Sequence, residues 1–152
     1  MAKINQSTQK KWGDGVAKGG FTILPNHLIA YNQFVDEASQ ISPTEFVILC
    51  QILFHWWGES QMPFPSKQTL ALRSGISSRQ VQRTLLSLEN KGIITRVARY
   101  GANNRGRLSN VYDLSALVEK VSRIAKANPS LYERGPETIK APAENGSFDV
   151  SD

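Results

Sequence analysis

Apolar residues recur at three- and four-residue spacing after Ser42, and this pattern predicts the central helix of a hydrophobic core. The helix has a strong start signal, because Ser42 is an N-cap residue, Pro43 suits the first turn and Glu45 stands three residues after the cap. We expect Gly58 to end it. The apolar stripe of this helix is predicted to comprise Phe46, Leu49, Cys50, Leu53, Phe54 and Trp57.

Weaker patterns surround this helix. Pro25 can open a short helix before it. After Gly92, a β-branched run predicts a strand, and residues 110–114 are expected to form the return strand of a hairpin. A last helix is expected from residue 114 to 127, with one apolar stripe along it. These elements predict a mainly α fold with a small β-hairpin, in the α+β class.

Between Ser66 and Gly92 the pattern predicts two short helices that cross at a tight turn. Ala71 supplies a small contact residue in the first helix, Gly75 the turn, and Val81 a branched anchor in the second. Ser77 is expected to cap the second helix, with Gln80 three residues on.

The second of these helices has two different faces. At about 100° per residue, the apolar face holds Val81, Thr84, Leu85 and Leu88, and the other face holds Arg79, Arg83, Leu86 and Asn90, flanked by Gln80 and Gln82. Arg and Gln side chains match the guanine and adenine edges of a DNA major groove. Ser77 and Ser78 stand where backbone amides can meet a phosphate. A solvated amphipathic surface is the alternative, and Leu86 is discordant because an apolar side chain on this face should pack against something.

The charge of the chain is concentrated around the same region. Residues 66–107 contain nine basic side chains against one acid, Glu89, a net charge of +8, whereas the other residues sum to −3 and the whole chain to +5. A solvated surface normally mixes both signs, so this excess indicates a phosphate-facing surface.

The stretch from about Phe21 to Val118 resembles winged helix-turn-helix domains, most of all those of bacteriophage and plasmid replication initiators of the lambda O type and of related bacterial regulators. The resemblance covers about two thirds of the chain and is carried by the runs ISPTEFVILCQILFHW, PSKQTLALRSGISSRQVQRTLLSLENKGII and NVYDLSAL. It implies that the second helix of the motif enters the major groove and that a β-hairpin wing lies beside the backbone or minor groove. The residues it implies for base reading are Ser78, Arg79, Gln80, Gln82 and Arg83, in addition to the cap Ser77. Those for the DNA backbone lie on a wing spanning residues 96–109, namely Arg99, Asn103, Asn104, Arg105 and Arg107, and we add Lys67.

The chain is expected to divide into three parts. Residues 1–20 are predicted to be a flexible basic arm with little fixed structure, residues 21–127 the winged helix-turn-helix domain, and residues 128–152 a disordered acidic tail. The arm could add phosphate contacts, and the tail could compete with DNA or contact a replication or transcription protein. The last helix could cover its own core or form a homodimer.

Other classes of protein fit less well. We expect no catalytic site, cofactor or metal, because the two histidines, His27 and His55, are far apart, Cys50 is the only cysteine, and no phosphate-binding glycine loop is present. The longest apolar run is too short to cross a membrane and no export signal is found, so we expect a cytoplasmic, nucleoid-associated protein. The function predicted is sequence-specific binding of double-stranded DNA, in regulation of transcription or of plasmid or phage replication. The alternative is a protein-protein adaptor with little or no specific DNA readout.

Overall fold

A computed structural model describes residues 5–104 and 106–131. Seven helices and one hairpin follow one another within these ranges. The helices are α1 (Gln6–Trp12), α2 (Asp14–Lys18), α3 (Asn26–Ile29), α4 (Pro43–Phe54), α5 (Lys67–Ser74), α6 (Ser78–Asn90) and α7 (Ser115–Ala127), and the strands, between α6 and α7, are β1 (Thr95–Tyr100) and β2 (Arg107–Asp113). Single 3₁₀ turns lie at Tyr31–Phe34, Glu37–Ser39 and Ala102–Asn104. The α+β class is thus confirmed.

One core joins α4, α5 and α6 to α7 and the start of the hairpin. Helices α4, α5 and α6 contact one another, and α7 packs against α3 and the turn that follows it. Buried apolar side chains come from all of these elements. They are Leu28, Tyr31, Ile41, Ile48, Leu49, Ile52, Leu70, Val81, Leu85, Leu88, Ile93, Ile94, Tyr112, Leu114 and Leu117.

Helix α4 begins as predicted but differs in its end and its inward face. Both bonds of the capping box form: Glu45 N donates to Ser42 Oγ at 3.2 Å, and Ser42 N donates to Glu45 Oε1 at 3.0 Å. The helix ends at Phe54, a turn before Gly58, where the backbone amides of residues 55 and 56 donate to carbonyls only three residues back. Its fully buried apolar residues are Ile48, Leu49 and Ile52, whereas Trp57 is 73% exposed. The predicted stripe was wrong in part because this helix is apolar on nearly every side, so spacing alone does not identify the buried face.

The two crossed helices form as predicted. Gly75 adopts a left-handed conformation, φ +70°, which ends α5 and makes the turn, and Ser77 Oγ accepts from Gln80 N at 3.1 Å at the start of α6. All four residues of the predicted apolar face of α6 are buried, namely Val81, Thr84, Leu85 and Leu88. The hydroxyl of Thr84 donates to Gln80 O at 2.7 Å, which satisfies its polar group inside the core.

The hairpin is longer than predicted. Strands β1 and β2 pair antiparallel from Thr95 opposite Asp113 to Tyr100 opposite Arg107, with a bulge between Val97 and Arg99. The sequence pattern predicted a return strand only from residue 110, whereas β2 begins at Arg107, so the loop covers residues 101–106. Gly101 N donates to Gly106 O at 2.9 Å across it. Glycine and asparagine weaken a strand signal, and so the sequence pattern understated the length of the ladder.

The amino-terminal segment has more structure than we expected. Helices α1 and α2 occupy most of it, and Asn5 caps the first by accepting from Ser7 N at 3.0 Å. Gln9 Nε2 then donates to Asp14 Oδ1 at 2.7 Å across the break at Gly13. The expectation of little fixed structure is therefore wrong for residues 6–18, although neither helix has a buried residue. The tail prediction falls mainly on residues 132–152, outside the described residues.

None of the helices in the described ranges combines the length and hydrophobicity needed to cross a membrane.

Candidate nucleic-acid interface

The outer face of α6 exposes every residue predicted for base reading. Ser78, Arg79, Gln80, Gln82 and Arg83 all lie in the first half of the helix and are exposed, together with the cap Ser77. Within the described part of the chain, the side chains of Arg79, Gln82 and Arg83 make no hydrogen bond or ion pair. Their hydrogen-bonding groups are therefore available to an external partner.

Two other basic residues of the positive region have partners inside the protein. Arg96 Nη2 donates to Glu89 Oε2 at 2.6 Å, and its backbone N donates to Glu89 Oε1 at 3.1 Å. The hydrogen bond from Arg96 lowers the pKa of Glu89 against the opposing effect of burial, and the same bond raises the pKa of Arg96. Lys91 Nζ donates to Glu45 Oε1 at 2.6 Å and to Gln40 O at 2.7 Å. These contacts attach the end of α6 to the hairpin and to α4.

The predicted wing residues fall into different environments. Arg99 is half-buried: its guanidinium lies 4.3 Å from the ring centroid of Phe64, and its Nε donates to Ser109 O at 3.2 Å. Asn103 is exposed in a left-handed conformation at the hairpin tip, φ 58°. The backbone of Asn104 lies in the same tip, and Arg105 lies outside the described residues. Arg99 therefore attaches the hairpin to the segment before α5, a role that sequence reasoning missed.

The structure brings Lys67 and Arg107 to one surface cleft of about 340 Å³. This cleft lies between the start of α5 and strand β2, which are held together by a bond of 2.9 Å from Tyr112 N to Pro63 O. Arg107 Nη2 also donates to Asn110 Oδ1 at 3.0 Å. The other polar residues of the cleft are Ser66, Gln68, Ser109 and Asn110. Gln68 and Asn110 were missed, because only the tertiary contact between α5 and β2 gives them this position.

Leu86, the discordant residue of the outer face, stays 49% exposed. The packing expected for an apolar side chain therefore leaves about half of it in contact with solvent. Tyr100 is a further exposed residue that the sequence did not indicate, 69% exposed at the end of β1 and opposite Arg107 in the strand register.

A family model described as a helix-turn-helix domain matches residues 39–94. The match starts just before α4 and ends after α6, so it includes the three helices whose packing presents the exposed arginines. Residues 39–94 are thus similar to a helix-turn-helix domain. The hairpin and α7 lie beyond the match, and the hairpin follows α6 as a wing would. A comparison with curated proteins finds no match.

Both histidines have backbone partners in the described part of the chain. His27 Nε2 lies 2.7 Å from Asn128 O, and His55 Nδ1 lies 2.8 Å from Gln51 O, so each ring has a backbone partner. Burial raises the pKa of the Cys50 thiol, which disfavours the reactive thiolate. Among the described residues, no three His, Cys, Asp or Glu side chains are grouped to hold a metal ion.

Proposed function

We propose that this chain binds double-stranded DNA at specific sequences through the outer face of α6. The observation that carries the proposal is that the two faces of this helix differ. Val81, Thr84, Leu85 and Leu88 are buried, whereas Arg79 and Arg83 are exposed on the opposite face and have no partner among the described residues. A helix held this firmly on one side can be placed in the major groove as a rigid unit. The matched helix-turn-helix domain supports the same use.

Base reading is assigned to three side chains of α6. Arg79 and Arg83 can each donate two hydrogen bonds to guanine, and Gln82 can pair a donor and an acceptor with adenine. Gln80 lies beside them, and Ser77 and Ser78 place the amides at the start of α6 near a phosphate. Leu86 is half-exposed on the same surface, where it can meet a thymine methyl group.

Backbone contacts are assigned to the cleft that Lys67 and Arg107 share, together with the hairpin tip. These groups come from α5 and β2 and not from α6. Phosphate contacts position the protein without reading sequence. Asn103 extends this set at the tip, and Asn104 and Arg105 stay in it on the ground of the sequence alone. Arg99 acts mainly by holding the hairpin against Phe64.

The biological role proposed is regulation of transcription or of plasmid or phage replication by occupancy of a DNA site, without catalysis, cofactor or metal. The resemblance to replication initiators of the lambda O type supports the replication role, and the same scaffold serves transcription regulators. We place the protein in the cytoplasm with the nucleoid. A replication or transcription protein bound through residues 128–152 stays part of the proposal.

A protein-protein adaptor is the second candidate, favoured by an apolar surface around Trp56 and Trp57. The two functions differ in what they require of α6, because an adaptor of this kind needs no duplex.

A titration distinguishes them. The full chain is added to a labelled DNA duplex and to a labelled single strand of the same sequence. Binding to each is measured by fluorescence anisotropy at several salt concentrations. The DNA-binding function predicts saturable binding to duplex, weaker binding to single strands, and an affinity that falls as salt rises. Absence of duplex binding at low salt would reject it and leave the adaptor.

A further inference from the structure

The hairpin leaves three apolar side chains open to solvent. Tyr100 is 69% exposed, Val97 46% and Leu108 42%. Single exposed apolar residues are common on protein surfaces, so exposure alone assigns them no role. Two of the three share one end of the hairpin, because Tyr100 is the last residue of β1 and Leu108 the second residue of β2. The outer end of the hairpin therefore carries an exposed aromatic ring and an exposed aliphatic side chain.

Tyr100 stands beside a basic side chain. Its partner in the strand register is Arg107, and directly opposed residues of an antiparallel pair hold their Cβ atoms about 5 Å apart. Arg107 also lines the cleft of about 340 Å³ that it shares with Lys67. Under the proposed function this cleft meets the phosphate backbone, which places the ring of Tyr100 within reach of the adjoining bases.

The strand that carries Tyr100 is attached to the helical part of the domain at two points. At the start of this strand, Arg96 Nη2 donates to Glu89 Oε2 of α6 at 2.6 Å. Farther along it, the guanidinium of Arg99 lies 4.3 Å from the ring centroid of Phe64. Tyr100 follows Arg99 directly, so its backbone keeps a fixed position relative to α6. A side chain on such a support loses less conformational freedom when it binds than one on a mobile loop.

We propose that the chain bends the DNA that it binds, by inserting the ring of Tyr100 between two base pairs from the minor groove. This inference rests on the proposed function of α6, and it adds a deformation of the duplex to occupancy of a site. Apolar side chains inserted between base steps partly unstack them and kink the duplex by about 20–90° toward the major groove. A phenol ring suits this position because its faces are flat and apolar, whereas its hydroxyl can meet the acceptors of the minor groove. Flexible pyrimidine–purine steps are the expected place of insertion.

A protein partner fits this end of the hairpin less well. A standard interface buries about 800 Å² on each partner, whereas one aromatic ring and two half-exposed aliphatic side chains supply only a small part of that area. The neighbours of Tyr100 in the strands, Arg99 and Arg107, are both basic, and residues 66–107 contain nine basic side chains against one acidic. An aromatic ring within a positively charged surface is typical of proteins that stack nucleic-acid bases on the ring.

The test uses the duplex that binds the full wild-type chain most tightly after selection from a random library. The fluorescent base 2-aminopurine replaces single adenines along this duplex, because its fluorescence rises when it is unstacked. Energy transfer between dyes at the two ends of the DNA measures the bend. The wild-type chain is expected to bend the duplex by at least about 20° and to raise the fluorescence at one base step.

Tyr100→Ala is expected to abolish both changes and to raise the dissociation constant about 5-fold or more, because a base loses its stacking partner. Tyr100→Phe keeps the ring, so it should keep the bend and the fluorescence rise. Leu72→Ala is the matched control, because Leu72 is an apolar residue that is 84% exposed on α5, outside the hairpin. It should bend the duplex as the wild-type chain does, and circular dichroism should show equal helix content in all four proteins.

A bound duplex that stays straight overturns the inference. A bend that Tyr100→Ala leaves intact also overturns it, and leaves the ring as a contact for a protein. A bend without a fluorescence rise at any step does the same, because the ring then separates no base pairs. These outcomes differ from failure of the proposed function: a chain that binds no duplex at low salt fails the titration described above, whereas a chain that binds duplex without bending it rejects only the insertion of Tyr100.

Discussion

Glu45 is a buried charge that joins α4 to the end of α6. It is 4% exposed, and its carboxylate accepts from Lys91 Nζ at 2.6 Å, from the Ser87 hydroxyl at 3.1 Å and from the Ser42 amide at 3.0 Å. Burial by itself would raise the pKa of Glu45, but the hydrogen bonds from Lys91 and Ser42 and the charge of Lys91 lower it below its ordinary value. The same side chain thus completes the capping box of α4 and fixes the position of α6.

The lowered pKa of Glu45 makes part of the folding free energy depend on pH. In the unfolded chain the carboxyl regains its ordinary pKa of 4.5, so its contribution is complete above that pH and is lost as pH falls through the lower folded-state value. Glu45→Gln should lower the free energy of unfolding by about 2 kcal/mol or more at pH 7, because Lys91 loses its charge partner. It should also flatten the decline in stability at acid pH.

The matched control for this prediction is Glu119→Gln, which removes the exposed partner of Arg123 on α7. Its cost should stay below about 1 kcal/mol, since exposed ion pairs contribute little. The free energy of unfolding of the wild-type chain and of both variants is measured by urea unfolding between pH 3 and 7. Equal losses for both variants would show that the Glu45 contacts do not carry the stability assigned to them.

Arg83 and Arg107 are both exposed arginines but have different expected roles. Arg83→Ala removes a base contact, so it should weaken binding to the preferred site by about 1–3 kcal/mol and cost much less on unrelated duplex. Arg107→Ala removes a phosphate contact, so it should weaken both duplexes alike and reduce the slope of log affinity against log salt by about 1. Anisotropy titrations of both variants on both duplexes provide the comparison. A uniform loss from Arg83→Ala would contradict the assignment of α6 to base reading.

At the scale of elements, α6 could be predicted almost completely and α4 only in part. Helix α6 has polar residues on one side and apolar ones on the other, so its spacing identifies the buried face, whereas α4 has apolar residues on nearly every side. The crossing of α5 and α6 at Gly75 could be predicted because glycine readily adopts the left-handed conformation that the turn requires. The contact of Arg99 with Phe64 could not be predicted, because it joins residues 35 positions apart and leaves no local pattern in the sequence. The first helices were missed because glycine and lysine suggested flexibility, while the cap at Asn5 carried the opposite signal.

The turn between α5 and α6 supplies a prediction about backbone conformation. Gly75 has φ +70°, and an added methyl group there would meet no atom within 4 Å, so the cost of Gly75→Ala is conformational. We expect a loss of about 1–2 kcal/mol in the free energy of unfolding. Gly58→Ala is the control, since that site is equally open but its φ is not in the positive range. Thermal or urea unfolding gives the comparison. If Gly58→Ala costs as much as Gly75→Ala, the left-handed turn is not the cause.

At the scale of the whole molecule, the basic side chains fall into two groups, those with internal partners and those without. Lys91, Arg96 and Arg99 have internal partners that hold the hairpin and α4 against α6, whereas Lys67, Arg79 and Arg83 have none among the described residues. A cleft without charged lining residues, which includes Trp56 and Trp57, is formed by α4, α7, the segment after α4 and the segment before α3. One surface thus carries positive charge that is free to meet a polyanion, and another is apolar.

The central claim, that α6 reads base edges, is tested most directly by selecting bound duplexes from a random library with the wild-type chain and with Arg79→Ala. We predict that the wild-type chain enriches a defined motif and that the variant enriches the same motif with relaxed preference at one or two positions. An identical motif from both proteins, or no motif from the wild-type chain, would contradict the claim.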